Sequence, residues 1–189
     1  MDKTRSALTT SAALLFGSSG GFVVQLDNTT SRVGLHMTEQ GSACIEFKEY
    51  YFIGDLHIGG DGELDECEFE AELCAFLQQL ETEADGAELI ITGDLFGLWE
   101  STVFQGPDKL HGIIVSHIDL FLQFQRTGRH VRITAIPGNH DHELALNPEF
   151  GQILRSYNIH LEPCDHIVRS LAGRKIWIEH GNQHDTFNR

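Results

Sequence analysis

From Cys44 onward the chain alternates short apolar runs with amphipathic stretches, and several apolar runs end in a polar loop. Cys44–Ile53 is apolar and aromatic and stops at Gly54-Asp55, the pattern of a buried strand feeding a loop. In Glu63–Ala84, residues Leu64, Cys67, Leu73, Phe76, Leu77 and Leu80 fall near helical spacing, with acids in most of the gaps. That spacing predicts a helix whose acidic face is solvated. Glu88–Thr92 reads as a second strand ending in Gly93-Asp94, and Val131–Ile136 as a third, stopped by Pro137-Gly138. Between them Pro107 opens a helix running through Arg126, which Gly128 ends. A short helix over Pro148–Tyr157 follows. His166–Leu171 and Lys175–Glu179 then flank Ala172-Gly173-Arg174 as a hairpin. Strands alternating with helices imply an α/β sheet.

Ahead of Cys44 this texture is lost. Residues 1–42 hold 12 Ser or Thr and 5 Gly. They read as a loosely ordered leader with one strand at Phe22–Leu26, and residues 43–189 as the domain. Ala7–Phe16 follows Lys3 and Arg5, but Asp2, Thr9, Thr10 and Ser11 make it a poor signal peptide.

Composition narrows the class. The chain is 41% hydrophobic and 22% charged, ordinary for a globular domain. No run approaches the roughly 20 apolar residues of a membrane span, so no transmembrane segment is expected. The four cysteines show no CxxC, which favours reduced thiols and a cytoplasmic setting. The net charge is −15, and between Glu49 and Asp108 there are 16 acids and no Lys or Arg. All 13 basic residues lie outside that stretch against the other 12 acids, so the remainder sums to +1. No broad basic face is available, and no nucleic-acid partner is expected.

Four polar clusters carry the candidate chemistry: Asp55-Leu56-His57, Gly93-Asp94, Gly138-Asn139-His140-Asp141 and His180-Gly181-Asn182. Three directly follow a predicted strand, and the fourth follows the second strand of the hairpin. In an open α/β sheet, loops at the carboxyl ends of the strands converge on one crevice. Two carboxylates, an amide oxygen and several imidazoles suit Mn, Fe or Zn better than Ca²⁺ or Mg²⁺. Asp55 and His57 can face one ion, Asp94 can bridge two, and Asn139 can ligate through its oxygen. Two divalent metal ions about 3.5–4 Å apart activate a bridging water and clamp a phosphoryl group. His140 is then placed to protonate the leaving oxygen, with Asp141 to orient it.

These motifs resemble those of the calcineurin-like metallophosphoesterases, whose signature runs D-x-H, G-D-x-x-D, G-N-H-D/E, a later H-G, and G-H-x-H. The first four occur here in that order, and Gly138-Asn139-His140-Asp141 is the most specific. The resemblance implies an αββα sandwich with the first sheet and part of the second present. It also implies that Asp55 and His57 hold one metal, that Asn139 and His180 hold the other, and that Asp94 bridges them. His140 is similar to the family's catalytic histidine. The wording Gly93-Asp94-Leu95-Phe96-Gly97-Leu98-Trp99 is similar to the UDP-2,3-diacylglucosamine hydrolase branch.

Two departures stand out. Gly97 occupies the place of the second Asp of G-D-x-x-D, an acid that helps orient the catalytic histidine, so His140 leans on Asp141 or on Glu100 instead. No G-H-x-H follows His180 before Arg189, so the chain is expected to be a truncated form of the pattern, in which His184 is the available stand-in ligand. The leading expectation is a metal-dependent phosphoesterase acting on a small phosphorylated substrate, either a phosphomonoester or a nucleotide-linked pyrophosphate. The alternatives are a repair-type DNA exonuclease of the same superfamily and a catalytically inert metal-binding scaffold.

Overall fold

The computed structural model describes residues 24–27, 35–37, 43–45, 47–61, 64–65, 67–184 and 186. In chain order the strands are β1 (Val24–Asp27), β2 (Leu35–Met37), β3 (Ala43–Ile45), β4 (Glu49–Ile53), β5 (Ala87–Thr92), β6 (Arg132–Ile136), β7 (Ile159–Leu161), β8 (His166–Leu171) and β9 (Arg174–Glu179). The helices are α1 (Glu70–Glu83), α2 (Pro107–Ser116), α3 (Ile118–Thr127) and α4 (Pro148–Ser156). Strands β4 to β7 form a parallel sheet, and β1 lies antiparallel on its β4 edge, giving the order β1-β4-β5-β6-β7. β2 with β3, and β8 with β9, form separate antiparallel pairs. This is the α/β architecture that the alternation of patterns predicts. Among the described residues, no helix is long and apolar enough to cross a membrane.

The sheet is covered on both faces, which explains the unbroken run Leu89-Ile90-Ile91 in β5. Successive side chains point to opposite faces. Leu89 and Ile91 join Leu73, Leu77 and Leu80 of α1 and Phe121 and Phe124 of α3 in the main core. Ile90 turns the other way and packs with Tyr50, Ile136, Ile167 and Ile178, closing the β8–β9 hairpin over the second face. Each such buried aliphatic or aromatic side chain contributes about 1.5–3 kcal/mol relative to exposure. The result is three layers: helices, parallel sheet, hairpin.

A buried charge joins the last two layers. Glu88, fully buried at the start of β5, accepts from Arg169 Nε at 2.7 Å and Nη2 at 2.9 Å, and from the Thr134 hydroxyl at 2.6 Å. Both carboxylate oxygens are thereby paired inside the protein.

Three local expectations are corrected. Cys44–Ile53 is two strands rather than one, with Lys48 in the bend and its N–H bonded to Gly86 O at 3.0 Å. The polar pair Lys48-Glu49 marks the break in the apolar run. α1 begins at Glu70 rather than Glu63, because Asp65 Oδ1 accepts from Cys67 N at 3.0 Å in a local turn that competes with helix. The helix expected from Pro107 to Arg126 divides at His117, whose backbone sits at φ −116° and ψ 36°. Its buried imidazole lies 2.8 Å from Glu70 Oε2 at one nitrogen and 2.8 Å from Asp65 Oδ2 at the other. A buried polar ring needs partners on both nitrogens, and the chain bends there to supply them. The strand expected at Phe22–Leu26 is β1 over Val24–Asp27, and the rest of the expected leader lies largely outside the described residues.

Candidate active site

The loops leaving β4 and β5 lie side by side at the carboxyl end of the sheet. Leu56 N and His57 N both donate to Asp94 O, at 2.8 and 3.0 Å, and Ile58 N donates to Leu95 O at 3.0 Å. To make these bonds, three non-glycine residues take left-handed backbone angles: Asp55 (φ 53°), His57 (φ 45°) and Asp94 (φ 50°). Such a conformation costs an L-residue roughly 1–2 kcal/mol. Strain of this kind gathers at functional sites, and these are three of the residues that the sequence offers as metal ligands.

Two glycines bring the neighbouring loops into contact with them. A Cβ on Gly138 would collide with the Asp94 carboxylate and backbone, and one on Gly93 would lie 2.6 Å from the His180 ring. Both positions hold glycine because another loop's ligand fills the space a side chain would need.

The side chains then converge. His180 Nε2 is 3.2 Å from Asp94 Oδ2 and 3.0 Å from Asn139 Oδ1, while His57 Nε2 is 3.8 Å from the same Asp94 oxygen. One ligand atom each from Asp55, Asp94 and His180 lies within 4.8 Å of the others. So does one each from His57, Glu100 and His140. The structure therefore brings all five expected ligands to one crevice: Asp55 and His57 from the β4 loop, Asp94 from the β5 loop, Asn139 from the β6 loop, and His180 from the end of β9.

The tautomer of His180 tests whether this set suits a cation. Its Nδ1 lies 3.0 Å from Thr92 O. A carbonyl only accepts, so Nδ1 carries a proton there, and Nε2 is the nitrogen that faces Asn139 Oδ1 and Asp94 Oδ2. A lone pair aimed at two acceptor oxygens is repelled, so the place between them takes positive charge, either a proton on Nε2 or a cation. A ring that donates one N–H to a backbone carbonyl while presenting the other nitrogen is how metal-ligating histidines are held. The donor set fits a divalent cation.

A proton on Nε2 competes with a cation for this place. The hydrogen bond to Asp94 lifts the His180 imidazole to about 8, against the opposing effect of burial and with further help from the Asp94 charge and the Thr92 carbonyl. Burial acts to raise the Asp94 carboxyl, yet the hydrogen bond and charge of His180, the His140 amide and His57 together hold it below its ordinary value.

His140 and Asp141 separate in role. The Asp141 carboxylate is fully buried and accepts from Gly138 N at 2.7 Å and Phe96 N at 3.2 Å. Burial lifts it to about 7 in spite of these amides, and the charge of Asp94 adds to the rise. Its two oxygens are turned to the backbone of two loops, away from the orienting position beside the His140 ring that the sequence suggests. The carboxylate on His140 Nδ1 is that of Glu100, at 2.7 Å. Trp99 lies against the same ring, with centroids 4.7 Å apart. The sequence signal for both is slight: they end the apolar stretch after Gly93-Asp94, where Glu100 is the lone acid. His184, the possible stand-in ligand, is exposed and bonded to Glu179 Oε1 at 2.8 Å.

The fold and site together define an α/β protein with a strand-end centre of oxygen and nitrogen donors suited to divalent metal. The sequence model of the calcineurin-like phosphoesterases matches residues 49–189, and the chain belongs to that family. Membership implies hydrolase chemistry on phosphoester bonds, and the family typically binds divalent metals. Comparison with curated proteins gives no match.

Proposed function

We propose that the chain is a metal-dependent phosphoesterase that hydrolyses a phosphomonoester or the pyrophosphate of a nucleotide-linked metabolite. The observation that carries this reading is the convergence of Asp55, His57, Asp94, Asn139 and His180 on one crevice, with His140 beside them. In this reading Asp55 and His57 would hold one ion and Asn139 and His180 a second, with Asp94 available to both. Bound divalent ions supply a water activated near neutral pH and positive charge for the phosphoryl oxygens.

The chain's own residues do the rest. The His140 backbone N–H donates to Asp94 Oδ1 at 2.8 Å, which ties the ring to the metal-binding loop. Its Nδ1 is taken by Glu100, so that the doubly protonated ring has its Nε2–H free to hand a proton to the departing oxygen. Asp141 holds the Gly138 and Phe96 amides, and so fixes the β6 loop against the β5 loop. The residues Gly93–Trp99 favour the nucleotide-sugar branch of the family, and the acidity of the surrounding stretch weighs against a DNA substrate.

The test is hydrolysis of p-nitrophenyl phosphate and bis-p-nitrophenyl phosphate by the purified protein with Mn²⁺ added or chelated. Turnover that appears with Mn²⁺ and vanishes with chelator is expected. Metal bound without turnover on either ester, or on a nucleotide-linked pyrophosphate, would leave the inert-scaffold reading in place of this one.

A further inference from the structure

We propose that Glu100 is the positioning residue of His140, supplying from a different position the carboxylate that Gly97 lacks. The inference rests on the reading of His140 as the proton donor, and three observations carry it.

First, Glu100 Oε1 lies 2.7 Å from His140 Nδ1. An ionised carboxylate only accepts, so this contact fixes the proton on Nδ1 and presents Nε2, which has no hydrogen-bond partner among the described residues. Trp99 and His57 bracket the ring, at centroid distances of 4.7 and 4.5 Å with interplanar angles of 33° and 83°. A ring packed in this way and tethered at one nitrogen has one orientation.

Second, Glu100, whose side chain is partly exposed, does not serve the fold as the buried carboxylates do. Glu88 and Asp141 spend both oxygens on hydrogen bonds within the protein. Glu100 Oε2 is buried and has no hydrogen-bond partner among the described residues. An unsatisfied buried carboxylate oxygen costs free energy, and burial for packing alone would favour an apolar side chain. The contact with His140 is what this carboxylate accomplishes.

Third, position 97 has no room to do the same work. A Cβ there would lie 2.7 Å from Gly59 O and 3.0 Å from Glu100 Oε2. The hollow beside Gly97 is already taken by the Glu100 carboxylate on one side and by backbone on the other. Asp141 is no substitute, because both its oxygens are committed to amides.

The experiment has two independent readouts. In protein labelled with ¹⁵N-histidine, with His140→Gln used to assign the resonances, neutral His140 is expected as the Nδ1–H tautomer. Glu100→Ala and the larger Glu100→Leu should shift it toward Nε2–H, and Glu100→Asp should retain part of the Nδ1–H form. An unchanged tautomer in both removal variants overturns the proposal. In the Mn²⁺-loaded enzyme, Glu100→Ala should lower kcat about 10- to 100-fold with KM little changed. Metal content should be unaffected, and the substitution should cause no further loss on top of His140→Ala. A further loss in the double variant, or loss of bound metal on removing Glu100, makes it something other than a positioning residue. If the wild type turns over no phosphoester, the functional reading fails while the tautomer still decides the place of Glu100.

Discussion

At the start of β5, Glu88 is fully buried, and both of its oxygens are closed off by Arg169 and Thr134. Just past the end of the same strand, Asp94 is 2% exposed and meets His180, with His57 and Asn139 close by, on a backbone held at φ 50°. One strand thus carries two buried carboxylates in opposite conditions. The first is neutralised within the protein and joins two layers of the fold. The second stands among donors that crowd one another, in loops that are strained to bring them there. One end of the strand satisfies its carboxylate within the protein, and the other gathers oxygen and nitrogen donors that could hold a cation.

The sharpest way to break this contrast is to alter the two ends and compare activity with stability. Replacing His140 with Ala should lower kcat on bis-p-nitrophenyl phosphate by about 10²–10⁴-fold, the usual contribution of a positioned acid. Urea unfolding of the same variant should change little, because the ring is partly exposed and its loop is held by Asp141 and Asp94. A large stability loss there would show that the crevice is packing rather than chemistry.

At the other end the reverse is expected. Glu88→Ala leaves Arg169 without its buried partner and should destabilise the fold by roughly 3–5 kcal/mol in urea titrations. The kcat of the protein that remains folded should stay close to wild type. A fall in kcat larger than the fall in stability would mean that the hairpin link reaches the site.

A smaller effect separates strain from contact. His57 pairs a left-handed backbone with a ligand side chain. His57→Gly and His57→Ala both remove the imidazole, but only Gly fits φ 45° without strain. The Gly variant should be more stable than the Ala variant by about 1 kcal/mol in thermal or urea unfolding. Equal stabilities would mean that the backbone there is not strained.

Much of this was legible in the sequence. The parallel strands β5 and β6 follow from apolar runs stopped at Gly93-Asp94 and Pro137-Gly138, and the site loops follow from where those runs stop. Boundaries set by partners distant in the chain were not legible. Nothing local to His117 announces that Asp65 and Glu70 will bury it and divide a helix, and nothing in Ile159–Leu161 shows that three residues will add a strand to the sheet. In the site, the short motifs pointed to residues whose backbone and side chain both face the crevice. Choosing between Asp141 and Glu100 depends on which carboxylate is turned to backbone amides, and only the folded loops decide that.

The central claim is that the strand-end cluster is a divalent-metal centre in which Asp94 serves both ions. The most direct measurement is metal content by mass spectrometry after Mn²⁺ loading and removal of free ion, for wild type and for Asp94→Asn. Asn keeps an oxygen to accept the His140 amide but loses the charge. The account predicts two equivalents in the wild type and one or none in the variant. A wild type that retains no metal, or a variant that retains as much as the wild type, contradicts it.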